Sequence, residues 1–101
     1  MDNVEKANLC ERAAEEILKR GIAQKTYVDG TGAVCLVGAV SAALQNEQFN
    51  ASTAYYDVHV AEDVLGLHGD MIFRKSDFEF YPHKQKAADF LMEKAKGWLN
   101  R

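Results

Sequence analysis

Cysteine and histidine side chains are the groups in this 101-residue sequence most suited to nucleophilic or metal chemistry. Cys35 is the sharpest candidate, because it follows a turn and opens a predicted helix, where the dipole and free amides lower the pKa of a thiol. A cysteine hydrolase needs a base near its thiol, and His59 or His68, both later in the chain, could supply it. His83 is a third such histidine, and the carboxylates that could orient a base are Asp57, Asp63 and Asp70.

The residues around Cys35 favour a structural thiol over a catalytic one. The run Cys35-Leu36-Val37-Gly38-Ala39-Val40 is uniformly apolar, and burial without a base raises the pKa of a thiol. Free cysteine is also among the most buried residue types, and Cys10 lies on the apolar stripe of the first predicted helix. We therefore predict that both thiols belong to the core and that the chain is not an enzyme, with a cysteine hydrolase using Cys35 as the alternative.

The residues that could bind a metal or a phosphate do not have the spacings usual for such sites. The two cysteines and three histidines are too far apart along the chain for the paired ligands of zinc sites. The turn Asp29-Gly30-Thr31-Gly32 is glycine-rich and precedes a helix, but the residues of a phosphate-binding loop do not follow it. We predict no metal and no cofactor.

Aromatic and basic side chains are concentrated between residues 71 and 86. Aromatic residues beside cations are typical anchors of protein interfaces, although the same rings could instead cover the core. The sequence predicts a protein-binding surface here, for another protein or a second copy of this chain. Its predicted binding residues are Phe73, Arg74, Lys75, Phe78, Phe80 and Tyr81.

Charge is distributed unevenly along a chain whose net charge is −3. Residues 46–70 hold five acidic and no basic side chains, whereas residues 71–101 hold seven basic and four acidic ones. Nucleic-acid binding through the basic segment is a further, less favoured alternative, since no helix-turn-helix reader is apparent. The basic residues that would carry it are Arg74, Lys75, Lys84, Lys86, Lys94 and Lys96.

Length and composition predict one globular domain over residues 1–101. No apolar run approaches the roughly 20 residues of a membrane span, and the charged start does not resemble a signal peptide. Two cysteines are too few for a disulfide scaffold, which favours reduced thiols. We expect a cytoplasmic protein that does not contact a membrane.

The first part of the chain predicts a helix, a hairpin and a buried helix. Apolar residues recur at helical spacing from Ala7 to Ile17, and Gly21 supplies a stop. Residues 22–34 predict a small β-hairpin around the turn at 29–32. The uncharged run 35–44 predicts a central helix, within which Gly38 indicates a neighbour close to the backbone.

The second part of the chain predicts two further helices and an ambiguous stretch. One helix begins near Ser52 and ends at Gly66 or Gly69, with Asp57, Glu62 and Asp63 facing outward. Residues 71–81 form either a second hairpin or a single turn opened by a capping box at Ser76. Pro82 begins the last helix. The expected fold is mainly α with a small β-hairpin: a compact four-helix domain around the buried apolar central helix.

The middle segment resembles a family of small uncharacterised proteins found in actinobacteria and their phages. The resemblance rests on a G-x-x-Q…D-x-x-G-x-x-C-L-x-G-A pattern. The matching residues are Gly21, Gln24, Asp29, Gly32, the run Cys35-Leu36-Val37-Gly38-Ala39-Val40 and Ala43. In that family the pattern lies between an amphipathic helix and two later helices, an order similar to the one predicted here.

Two segments depart from the family pattern, and a ligand site formed by the second of them in the family would be lost here. Ile22 stands where family members often carry Trp, and Phe78-Glu79-Phe80-Tyr81-Pro82 stands in place of a W-N-D segment. The resemblance implies a phage-type or bacterial setting and no known activity. The function expected is therefore that of a small, cytoplasmic, phage-type accessory protein that binds another protein without catalysis, either directed at the host or self-associating.

Overall fold

The computed structural model describes residues Met1–Arg101 and consists of helices joined by short loops, which confirms the mainly α prediction. The six α-helices are α1 (Asn3–Arg20), α2 (Leu36–Gln45), α3 (Ala51–Tyr56), α4 (Val58–Leu65), α5 (Gly69–Arg74) and α6 (Lys84–Leu99). A 3-10 turn spans Asn46–Gln48, and a π-helix spans Lys75–Phe80. None of the helices has the length and apolar character that crossing a membrane requires.

Helix α1 begins and ends at the residues that the sequence indicated. The Asp2 carboxylate accepts a hydrogen bond from the Glu5 amide (2.8 Å), which satisfies one free donor of the first turn. Gly21 ends the helix with a φ of 94°, a conformation that side chains rarely adopt. The predicted stripe is buried: Ala7, Leu9, Cys10, Ala13, Ala14 and Ile17.

Helices α1 and α6 pack side by side and run antiparallel. At one end the Lys84 ammonium donates to the Leu18 carbonyl (3.0 Å), and at the other the Lys6 ammonium lies 4.2 Å from the centre of the Trp98 ring. The Trp98 indole N–H donates to the Val64 carbonyl (2.7 Å) and so ties α6 to α4.

Helix α2 is the buried element around which the others pack, as predicted. All residues from Leu36 to Ala43 are buried. A Cβ atom on Gly38 would overlap the backbone carbonyl oxygen of Tyr27. The expectation that Gly38 permits a close backbone approach is confirmed.

The predicted small β-hairpin at residues 22–34 is not formed. Val34 instead makes isolated bridges to Ile22 and to Val28. Lys25 has a φ of 61°, which interrupts the extended conformation that a strand needs. The Asp29 carboxylate accepts from the Thr31 and Ala33 amides (2.8 and 3.1 Å), so a side chain takes the Ala33 amide that strand pairing would have used. Together these contacts make residues 21–35 an ordered loop.

The helix predicted from Ser52 to Gly66 is divided at Asp57 into α3 and α4. Asp57 was expected to face outward, and this expectation is wrong, because the residue is only 7% exposed. Its carboxylate accepts from the Ser41 hydroxyl (2.7 Å) and the Gln45 amide (3.1 Å). Burial of this carboxylate against α2 turns the chain between the two short helices. Gly66 ends α4 in the left-handed conformation, as predicted.

Residues 71–81 form neither of the two predicted structures, because α5 passes directly into the π-helix. Ser76 is fully buried, and its hydroxyl accepts from the Leu36 amide (3.1 Å) at the start of α2, so it does not open a capping box. Helix α6 begins at Lys84 rather than at Pro82.

Candidate functional site

Two adjoining cavities with aromatic walls form a concave surface on one side of the chain. The first, of about 490 Å³, is lined by Lys25, Thr26, Tyr27, Cys35, Phe73 and Asp77. The second, of about 340 Å³, is lined by Tyr27, Tyr55, Tyr56, Val58, His59 and Phe73. Tyr27 and Phe73 line both cavities, so the two form one continuous surface, which we call the aromatic groove.

The loop 21–35 and the π-helix are tied together at the first cavity. The Lys25 amide donates to the Asp77 carboxylate (3.0 Å), and the Gln24 side-chain amide donates to the Asp77 carbonyl (3.1 Å). The Cys35 amide donates to the Tyr27 carbonyl (3.2 Å). These three hydrogen bonds hold Lys25 in its left-handed conformation and fix the position of Tyr27.

Four aromatic rings shape the groove. The centres of the Tyr27 and Phe73 rings are 5.9 Å apart, and those of Tyr55 and Tyr56 are 5.3 Å apart, both within the range of favourable ring packing. Tyr55 and Tyr56 are 64% and 75% exposed. Burial raises the pKa of Tyr27, and neighbouring Cys35 and Tyr55 raise it further. Its hydroxyl therefore stays protonated at neutral pH and can donate a hydrogen bond.

Cys35 lies at the inner wall of the first cavity, with 2% of the residue exposed. Its sulfur accepts a hydrogen bond from the Gly38 amide (3.4 Å) and so caps α2. Burial raises the pKa of this thiol to about 11. Amide hydrogen bonds from Gly38 and Val37 lower the pKa, but by less than burial raises it. Burial therefore keeps the thiol protonated at neutral pH, and no histidine lines this cavity.

The three histidines lie elsewhere. His59 lines the second cavity; its side chain is 93% exposed and its Nδ1 lies 3.3 Å from the Glu62 carboxylate. The Gly69 amide donates to the same carboxylate (2.8 Å) and is the main cause of a lowered Glu62 pKa, to which His59 also contributes. His68 caps α5, with its Nδ1 accepting from the Asp70 amide (3.4 Å). The third, His83, is exposed just before α6.

The six binding residues predicted at 73–81 do not share one environment. Phe73 is half-buried in the aromatic groove, whereas Arg74, Phe78 and Tyr81 are exposed. Phe80 is buried, with its ring centre 5.3 Å from that of Phe90. Lys75 is half-buried, and its ammonium lies 3.2 Å from the Glu79 carboxylate.

Tyr27, Tyr55 and Tyr56 were missed as binding residues by sequence reasoning. A signal for two of them was available, because adjacent side chains on a helix point about 100° apart, so at least one of two neighbouring tyrosines lies off a narrow apolar stripe. Nothing in the sequence places Tyr27 beside Phe73, which is 46 positions later. The structure contains no group of three or more His, Cys, Asp or Glu side chains that could hold a metal ion.

The chain matches a protein-family model over most of its length. Residues 1–90 match the model of a family described as a family of unknown function (DUF6197). No curated protein and no solved structure matches the chain.

Proposed function

The chain belongs to the DUF6197 family of unknown function, and we propose that it is a non-enzymatic binding protein whose aromatic groove holds an extended segment of a partner protein. The observation that carries this proposal is the pair of joined cavities with Tyr27 and Phe73 between them. Tyrosine rings are enriched among the residues that contribute most to protein interfaces, and here Tyr55 and Tyr56 lie largely exposed at the rim.

The two cavities differ in chemistry, which defines the segment that they would hold. The cavity over Cys35 has a cation, an anion and a hydroxyl on its walls: Lys25, Asp77 and Thr26. The second cavity has mainly aromatic and aliphatic walls. In an extended chain, side chains on the same face are about 7 Å apart. A segment with a polar side chain and, two positions away, an aromatic or large aliphatic one would place one side chain in each cavity.

A non-enzymatic role is supported by the state of Cys35. A buried thiol with a pKa of about 11 has almost no thiolate at neutral pH, and no imidazole lines its cavity. We expect iodoacetamide at neutral pH to leave Cys35 unmodified in the folded protein and to modify it after unfolding in guanidinium. Modification in the folded protein would contradict a non-enzymatic role and favour the cysteine hydrolase.

The proposal includes a cytoplasmic location and a phage-type accessory role. Both thiols are unpaired and buried, which supports a reducing compartment. The phage-type role depends only on the resemblance of the motif in residues 21–43. Nucleic-acid binding by the C-terminal segment remains the alternative, and strongly salt-dependent retention on DNA or RNA would favour it.

Selection from a random peptide library displayed on phage tests the aromatic groove. Peptides enriched on the folded protein are synthesised, labelled and titrated by fluorescence anisotropy. We expect the double variant Tyr55→Ala/Tyr56→Ala to weaken their binding at least 10-fold. The matched control is Phe78→Ala, because Phe78 is 73% exposed and lines neither cavity. Circular dichroism checks that each variant folds.

Two results would overturn the proposal. One is that no peptide is enriched above the level obtained with unfolded protein. The other is that enriched peptides bind the double tyrosine variant as tightly as the unchanged chain, or depend on Phe78 instead. Sedimentation velocity tests whether the partner is a second copy of this chain. A dimer that dissociates in the double tyrosine variant would show that a second copy binds at this groove.

A further inference from the structure

A second groove lies between α1 and α6 and shares no lining residue with the aromatic groove. Its volume is about 410 Å³. Ala14 and Ala88 are buried at its base, where their small side chains leave room between the helices. Leu18 and Met92 line it with 38% and 40% of each residue exposed. The groove therefore presents apolar surface to solvent along two packed helices.

Exposed apolar side chains extend this surface along both helices. Val4 precedes Leu18 by fourteen residues, and Leu99 follows Met92 by seven, so each lies on nearly the same side of its helix as its counterpart. Val4 and Leu99 are 57% and 55% exposed. Because the helices are antiparallel, the start of α1 lies beside the end of α6, as the contact of Lys6 with Trp98 shows. The four side chains thus follow one shared face.

The charge at the edges of the groove is negative. Glu11, Glu15 and Asp89 line it, and no basic residue does. The Gln85 amide donates to Asp89 (2.9 Å), and the Lys84 ammonium donates to the Leu18 carbonyl (3.0 Å) at one end. The central part of the groove keeps an uncompensated acidic rim around an apolar base.

We propose that the α1–α6 groove is a docking site for a basic amphipathic helix of a partner protein. Two packed helices with small residues between them accept a third helix, whose apolar side chains fill the groove. Lysine or arginine residues beside that apolar stripe would face Glu11, Glu15 and Asp89. A symmetric pairing of two copies through this groove would instead bring two acidic rims together, which is unfavourable.

Two synthetic helical peptides of about 18 residues test the proposal on the full chain. Both carry the same leucine stripe; one has lysines beside the stripe and the other has glutamates there. We expect the lysine peptide to bind at least 10-fold more tightly in anisotropy titrations at low salt. The triple variant Glu11→Gln/Glu15→Gln/Asp89→Asn should remove most of this preference. Leu18→Ser/Met92→Ser should weaken binding at least 5-fold at both low and high salt.

A control variant separates this groove from general electrostatic attraction. Glu47→Gln/Asp63→Asn/Asp70→Asn changes the net charge equally within the acidic segment 46–70, at residues that do not line the groove. Equal loss of binding in the control and in the groove variant would overturn the proposal, as would equal binding of the two peptides. A dimer of the free chain that dissociates in Leu18→Ser/Met92→Ser would also overturn it, because the occupant would then be a second copy. None of these variants changes the aromatic groove, so its peptide binding is tested independently.

Discussion

The two ends of α2 are held by different chemistry, although the helix between them is uniformly buried. At the N-terminal end, the contacts are neutral and come from distant backbone and side-chain groups: the Tyr27 carbonyl against Gly38, and the Ser76 hydroxyl on the Leu36 amide. At the C-terminal end, Ser41 and Gln45 bind the buried carboxylate of Asp57. The N-terminal end also forms a wall of the aromatic groove.

The two ends also position different parts of the candidate site. At the C-terminal end, Ser41 and Gln45 have helical spacing on α2 and meet Asp57, and the Ser41 hydroxyl also lies 3.3 Å from the Thr53 hydroxyl of α3. These contacts fix how α2 and α3 meet. The contacts at the N-terminal end instead fix the loop 21–35 and thereby Tyr27. We expect damage at either end to cost stability. Damage at the N-terminal end should also alter the first cavity through Tyr27, and damage at the C-terminal end should alter the second cavity through Tyr55 and Tyr56, which precede Asp57.

The largest effect is expected for Gly38→Ala. The added Cβ would overlap the Tyr27 carbonyl oxygen, and a backbone atom cannot move aside as the end of a flexible side chain could. We expect a loss of about 3 kcal/mol in the free energy of unfolding, measured by urea denaturation. Gly97→Ala is the matched control in α6, where nothing lies within 4 Å of the added atom, and it should stabilise by about 0.5–1 kcal/mol. Equal effects of the two substitutions would show that Tyr27 does not constrain α2.

Alkaline pH should destabilise the N-terminal end through Cys35. The thiol ionises near 9.0 without burial but has a pKa of about 11 in the folded chain. Between these pH values the unfolded chain has released a proton that the folded chain retains, so stability that is complete below pH 9 falls as the pH rises to 11. One pKa unit corresponds to about 1.4 kcal/mol, which predicts a loss of about 2 to 3 kcal/mol from this thiol.

The variant Cys35→Ala isolates that contribution, because every other group that titrates in this range is present in both proteins. Urea denaturation at intervals from pH 8 to pH 11 should show a shallower decline in stability for the variant. Cys10, whose pKa burial also raises to about 11, remains in both proteins and accounts for part of the remaining decline. Parallel curves for the two proteins would indicate that the Cys35 thiol ionises as readily in the folded chain as in the unfolded one.

At the C-terminal end, Asp57→Ala should cost about 2 kcal/mol, because a buried charged acceptor is lost and two donors lose their partner. Asp63→Ala is the control, at an exposed carboxylate of α4. The Asp63 side chain is 57% exposed and pairs with Lys6 across 3.4 Å, so its loss should cost at most about 0.5 kcal/mol. Because Tyr55 and Tyr56 directly precede Asp57 and line the second cavity, Asp57→Ala should also weaken the binding of peptides selected on the aromatic groove, whereas Asp63→Ala should leave that binding unchanged. Unchanged peptide binding by Asp57→Ala would mean that α3 keeps its position without this carboxylate.

The sequence was sufficient where local pattern determines structure. The apolar spacing of α1 and its stop at Gly21, the uncharged run of α2 and the close approach at Gly38 all follow from neighbouring residues. The sequence was insufficient where the structure depends on a contact between residues far apart along the chain. From the sequence, Asp57 is predicted at the surface, because its contacts with Ser41 and Gln45 are not apparent there. Ser76 is likewise predicted to begin a helix, because its contact with the Leu36 amide is not apparent.

The candidate site was less predictable than the fold for the same reason. Of the predicted binding residues, only Phe73 lines the aromatic groove. Lys75, Phe78 and Phe80 lie on the π-helix, which sets the direction of each side chain. A π-helix advances differently from an α-helix, so residues 75–80 follow neither a strand nor an α-helical pattern. Tyr27 reaches the groove only because loop 21–35 folds against Asp77.

The smallest effect is expected for Ser76→Ala, which tests the remaining contact at the N-terminal end. The Leu36 amide would lose its acceptor in a buried position, which predicts a loss of about 1 kcal/mol in the free energy of unfolding. Ser52→Ala, at an exposed residue of α3, is the matched control and should change stability by less than about 0.5 kcal/mol. Because Ser76 precedes Asp77, the anchor of the Lys25 amide, the substitution should also weaken binding of peptides selected on the aromatic groove, by about 3-fold. A stability loss with unchanged peptide binding would mean that α2 can loosen at this end without displacing Tyr27, and the groove would then be positioned by Asp77 alone.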